Sequence, residues 1–188
     1  MHSSLMKSKA FAIVTTFAFA LAAVASDEEI KFRSPDGKLA LSVKPTQTSI
    51  VKLPSHEVVI EVDEMGAPFL AGKRLVWSAD SNRVAYYSPN RRGGLLSVYF
   101  RKGDSFESVD IPDLPLPKFS SKHSEKCEVV SHIDLPLRWL PSGSLVIYSE
   151  VADECDNTAA SEVTLAFERD GTPKVKKAIP TAERKRKD

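Results

Sequence analysis

From Ser26 onward the chain never sustains a helical stripe: no window of about twelve residues places apolar side chains at i, i+3, i+4 and i+7. Short alternating and β-branched runs recur instead, each closed by Gly, Pro, Asp, Asn or Ser. Strands are expected over 29–33, 38–44, 49–53, 57–63, 74–77, 83–88, 95–101, 105–111, 125–132, 137–140, 144–150, 162–169 and 174–178. The turns have a mechanism. Ser34-Pro35-Asp36-Gly37 puts Pro where a fixed negative φ is wanted and Gly where φ must be positive. Asp170-Gly171 is a hairpin signal of the same kind. The stretch 112–124 carries Pro112, Pro115 and Pro117, which cannot sit in a central strand, and reads as a connector between two halves. The expected fold class is all-β and antiparallel.

The first residues follow a different rule. Lys7 and Lys9 precede an uncharged, mostly apolar run over 10–24, and Ala23-Val24-Ala25 then supplies a small-x-small cleavage site. That order predicts a secretory signal peptide over 1–25, since the run is short for a membrane span. It is expected to leave a single all-β domain over 26–180, a basic disordered tail over 181–188 and no later transmembrane segment. The expected location is periplasmic or secreted. After cleavage the chain carries 24 basic and 25 acidic residues, a balance unsuited to coating nucleic acid. The region 172–188 holds seven basic residues against two acidic, so an acidic body ends in a basic tail.

Two cysteines in an exported chain favour pairing. Cys127 and Cys155 stand 28 positions apart. Glu154 and Asp156 flank the second, and acidic neighbours make a poor thiolate, so a structural disulfide is expected.

Three segments look alike: Phe32 to Leu41, Trp77 to Tyr86 and Trp139 to Tyr148. Each has a strand end, a tight polar turn and an apolar strand, with Asp36, Asp80 and Ser142 at the turn. The anchors are 44 and 62 residues apart. A period of about 40–45 is the length of a propeller blade, and the proline-bearing connector lengthens the second interval. Ser34-Pro35-Asp36-Gly37-Lys38, followed by an aliphatic strand, resembles the WD40-like β-propeller repeats of exported bacterial proteins of the TolB type. Trp77-Ser78-Ala79-Asp80 and Trp139-Leu140-Pro141-Ser142-Gly143 match the same hallmark more loosely. The resemblance implies about three blade-like antiparallel meanders, the alternative being a β-sandwich, and a protein–protein contact role. Trp77 and Trp139 are expected to pack between sheets.

The chemistry-bearing motifs are few. The sequence has no Gly-x-Ser-x-Gly elbow, no phosphate loop and no Cys-x-x-Cys, so no cofactor and no metal are expected. His132 and Asp134 share a strand face by period two, as Glu61 and Asp63 do. Asp153, Glu154 and Asp156 form an acidic loop. Arg91 and Arg92, beside Gly93 and Gly94, could grip a carboxylate or phosphate. With Tyr87 and Tyr99 nearby, that loop is the expected ligand surface, and no catalytic residue is assigned. The expected function is a non-catalytic binding or scaffolding module contacting an unknown protein or envelope component; the alternative is an extracytoplasmic hydrolase of polysaccharide or peptide. Charged outer strands, with Lys174 and Lys176 at one end, predict a monomer.

Overall fold

The computed structural model describes residues 28–63, 74–90, 93–119 and 127–181. The expected signal segment 1–25, Arg91, Arg92 and the tail beyond Thr181 lie outside them. Among the described residues, twelve strands form three four-stranded antiparallel meanders. The first contains β1 (Glu29–Lys31), β2 (Leu39–Lys44), β3 (Gln47–Lys52) and β4 (Val58–Asp63). The second contains β5 (Arg74–Trp77), β6 (Arg83–Asn90), β7 (Gly93–Lys102) and β8 (Ser105–Val109). The third contains β9 (Val129–Trp139), β10 (Leu145–Asp153), β11 (Thr158–Phe167) and β12 (Pro173–Thr181). In each, strands pair in chain order, as in a propeller blade. The second and third blades are joined by one parallel pair, Gly93 with His132.

Two cores separate the three blades. Leu39, Leu41, Val43 and Ile50 of the first blade pack against Val84, Tyr86, Tyr99 and Phe106 of the second. Ala85 and Val98, on the second blade's other face, meet Leu145, Ile147, Val163 and Leu165 of the third. The middle blade is therefore covered on both sides, so Val84-Ala85-Tyr86-Tyr87 is buried without a break in place of the usual alternation.

The repeated segments occupy equivalent places, each joining the first two strands of a blade. Asp36 accepts a hydrogen bond from the Ser34 hydroxyl at 2.6 Å, and Asp80 one from Ser78 at 2.5 Å. Gly37, Ser81 and Gly143 take the left-handed position next in line, at φ 71°, 58° and 80°. Glycine meets that demand without strain at two of them, and Ser81 is its departure. The indoles then stitch blade to blade. Trp77 Nε1 donates to Phe32 O at 2.7 Å, and Trp139 Nε1 donates to Val76 O at 3.0 Å. Each acceptor lies one residue before its own blade's counterpart of the tryptophan position.

Two expected strands, 125–132 and 137–140, are one strand here. Pro136 is tolerated because a register shift between Val146 and Ile147 leaves Leu137 as an extra residue. The disulfide joins Cys127 to Cys155 with the Cα atoms 5.8 Å apart. It ties the start of β9 to the β10–β11 turn, where Glu154 N also donates to Glu128 O at 3.0 Å. Among the described residues no helix is long and apolar enough to cross a membrane.

At the outer edge, β12 carries the lysines expected to guard it. Val175 lies opposite Leu165 and Lys177 opposite Thr164, so Lys176 is bulged out between them. A bulge and a row of cations both discourage edge pairing. Replacing Lys174 and Lys176 with Val is expected to promote self-association by removing that protection. Light scattering on the eluted protein checks this, and an unchanged monomer after the substitutions overturns it.

Candidate binding cleft

Strand pairing brings the start of β7 against the middle of β9. Gly93 makes the approach possible: a Cβ there would lie 1.8 Å from His132 O, and the φ of 146° also disfavours an L side chain. Gly94 has a similar role, since its Cβ would fall 2.4 Å from the Tyr87 ring. Gly93→Ala is expected to separate the second and third blades locally, at a cost of about 1–3 kcal/mol. Denaturant unfolding checks the cost, and hydrogen exchange at His132 and Gly94 should accelerate selectively.

Beside this junction opens a cleft of about 440 Å³. Gly94, Leu95 and Leu96 of β7 form one wall, the segment from Ile111 to Leu116 the other, and His132 and Asp134 line it from β9. Ile111, Leu114 and Leu96 also pack on the second core, which holds the walls in place. Leu95 is 65% exposed and Leu116 56%, so the opening presents apolar surface to solvent.

His132 and Asp134 share one face of β9, as period two requires. His132 Nε2 lies 3.1 Å from Asp134 Oδ1 and 3.3 Å from Ser149 Oγ. The bond to Asp134 raises the imidazole pKa above 6.5, against the opposing effect of burial. A group raised in this way contributes stability fully below pH 6.5, and the contribution disappears as pH climbs through the folded value. Partial exposure screens the effect. The midpoint of denaturant unfolding should therefore lose a His132-dependent component between mildly acid and alkaline pH. Asp134→Asn should flatten that component; an identical pH profile in the variant counts against the assignment.

Ser149, His132 and Asp134 do not make a nucleophile relay. A relay needs one ring nitrogen toward the carboxylate and the other toward the hydroxyl. Here Nε2 faces both, and Ser149 is fully buried.

The structure redistributes the other expected site residues. Tyr87 and Tyr99 are both buried and stand on opposite faces of the second blade. Tyr99 lies opposite Val84 within the first core. Tyr87 lies opposite Leu96, and its hydroxyl donates to Gly93 O at 2.7 Å. The expected tyrosine surface is thus corrected: a blade covered on both sides has no exposed face on which the two rings could meet. Arg91 and Arg92 lie outside the described residues, between Asn90 and the Gly93 that borders the cleft. Asp153 is buried and closes its own turn, accepting from Cys155 N, Asn157 N and Asn157 Nδ2, each at 2.9 Å.

A second cleft, of about 360 Å³, lies between the Ser78–Arg83 and Pro141–Gly143 turns. Arg83 crosses it to donate to Gly143 O at 2.7 Å, with its guanidinium over the Phe100 and Trp139 rings. Its main side chains already engage one another.

Sequence reasoning missed the wall from Ile111 to Leu116. Its signal was present, as apolar residues alternate with proline in Ile111-Pro112-Asp113-Leu114-Pro115-Leu116-Pro117.

No family model matches the chain, and no curated protein matches it. Among solved structures it is similar to the WD40 domain of SCAP from fission yeast, with 12% identity and a TM-score of 0.36. The match covers 85% of this chain and 36% of that one, so the chain spans little more than a third of that structure. The blade architecture rests on strand order and register, independently of that likeness. The chain is all-β and blade-built.

Proposed function

We propose that this protein is an exported, non-catalytic binding module that contacts a protein or envelope component through the cleft between its second and third blades. The observation that carries the reading is the apolar opening held between β7 and the Ile111–Leu116 wall, with Leu95 and Leu116 largely exposed. Exposed apolar surface rimmed by polar residues marks interaction sites and ligand-binding grooves. Export is supported by the order of charge, apolar run and small residues over 1–25, and by a disulfide that suits an oxidising compartment. The Ser34–Lys38 turn supports kinship with TolB-type repeats. Removal of 1–25 would leave Ser26 at the amino terminus.

Two measurements test the reading. Intact mass of the exported protein should correspond to a chain starting at or near Ser26; retention of Met1 in that fraction refutes export by cleavage. A photo-crosslinking residue placed at Leu116 should give a discrete product in the envelope fraction, suppressed by Leu95→Asp. The same group at Val58, exposed on the first blade, should give none. Equal yields at the two positions would remove the cleft from the binding function.

A further inference from the structure

We propose that the cleft accepts a short extended peptide strand, bearing apolar side chains and a cationic residue, which adds to the bare edge of β7 opposite Gly94–Ser97. The proposal rests on the cleft being the binding site and names the chemistry of its occupant.

β7 runs from Gly93 to Lys102, but β8 pairs only with Val98–Lys102 of it. On that side β9 pairs with β7 at Gly93 and β8 pairs with Val98–Lys102, and among the described residues Gly94–Ser97 between them has no ladder partner there. Pro112 accounts for the early stop. It has no N–H to donate and restricts Ile111 before it, so the chain leaves β7 after Val109 and continues without strand structure to Phe119. Instead of filling the lane, it becomes the lane's far wall. The Gly93–His132 pair closes the lane at one end. An open strand edge demands an extended partner, and Gly94–Ser97 covers about 13 Å at roughly 3.3 Å per residue, room for about four residues.

Leu96, Ile111, Leu114 and Leu116 form the apolar part of a mixed lining, which favours aliphatic side chains on the occupant. The described charged groups in the cleft are Asp113, His132 and Asp134. Asp134 is occupied with His132, whereas Asp113 is exposed and has no ion pair among the described residues. Two carboxylates against one imidazole favour a cation, and a lysine or arginine at the peptide's end would meet Asp113.

The probe is a fluorescein-labelled acetyl-Lys-Val-Thr-Val-Lys-amide, followed by anisotropy on the purified full chain. It is compared with its Glu-Val-Thr-Val-Glu counterpart and with two versions N-methylated on alternate amides. Saturable binding is expected for the lysine peptide, weakened about tenfold in the glutamate version and by Asp113→Asn. One N-methylated version should lose binding and the other keep it, because only alternate amides face β7. A neutral apolar dye, Nile red, reports the cleft separately, and Leu116→Asp should reduce its fluorescence. If the dye responds to Leu116→Asp while no peptide binds, or both N-methylated versions bind equally, strand addition is overturned and the cleft stands as an apolar site. If neither dye nor peptide responds to Leu116→Asp, both readings fall. Leu116 and Asp113 are exposed, so unchanged circular dichroism should accompany both variants.

Discussion

Replacing Cys127 and Cys155 together with Ser is expected to lower the unfolding free energy by about 3–4 kcal/mol, because the bond closes a loop of 28 residues in the denatured chain. That magnitude is a large share of the stability of a typical domain. The native geometry adds a reason for a loss near the full value. The bond fastens the start of β9, where Val129 and Val130 are half exposed and the strand pairs with β10. Without it, the ends of β9 and β10 should fray first, and the fraying should reach His132, the third blade's contact with Gly93. Equilibrium denaturation of the oxidised wild type and the double variant gives the number. A difference below about 1 kcal/mol would mean that the denatured chain is already constrained around this loop. Alkylation before reduction should label neither cysteine.

Much of the fold was legible because its signals are local. The turn from Ser34 to Gly37 dictates its own backbone, and the chain placed Asp80-Ser81 and Ser142-Gly143 in the same role. Alternation located most strands to within a few residues. What failed was non-local. The expected strands 125–132 and 137–140 are one strand, because a bulge accommodates Pro136 between them, and a bulge depends on the partner strand. Tyr87 and Tyr99 read as neighbours of a basic loop, but their faces depend on which blades cover the second one, and it is covered on both. The cleft was hidden for the same reason. The spacing of Pro112, Pro115 and Pro117 announces a connector, while its role as a wall emerges only once β8 ends short of the start of β7. His132 and Asp134 were visible as a pair by period two; that Ser149 meets the same nitrogen required the register of β10.

Trp139→Ala is expected to cost about 3–4 kcal/mol, toward the lower end for removal of a large aromatic because the ring is only half buried. The indole meets four groups at once. It packs on Phe167 at 5.6 Å between centroids and on Phe100 at 6.2 Å, and it donates to Val76 O across the junction. It also lies beneath the Arg83 guanidinium, which reaches on to Gly143 O. Trp139→Phe keeps most of the packing and leaves the Val76 carbonyl without the indole, which should cost about 1–2 kcal/mol. The ratio of the two losses separates packing from the hydrogen bond. Arg83→Gln removes the cation from the same junction, so its effect and that of Trp139→Phe should be non-additive by about 0.5 kcal/mol or more. Lys52→Gln, at an exposed ion pair with Glu57 in the first blade, should add to Trp139→Phe without coupling. Denaturant unfolding of the singles and doubles measures both cycles. Strict additivity of Arg83→Gln with Trp139→Phe would mean that the aromatic stack and the turn contact are energetically separate, and the blade junction would then rest on the Leu145, Ile147, Val163 and Leu165 core alone.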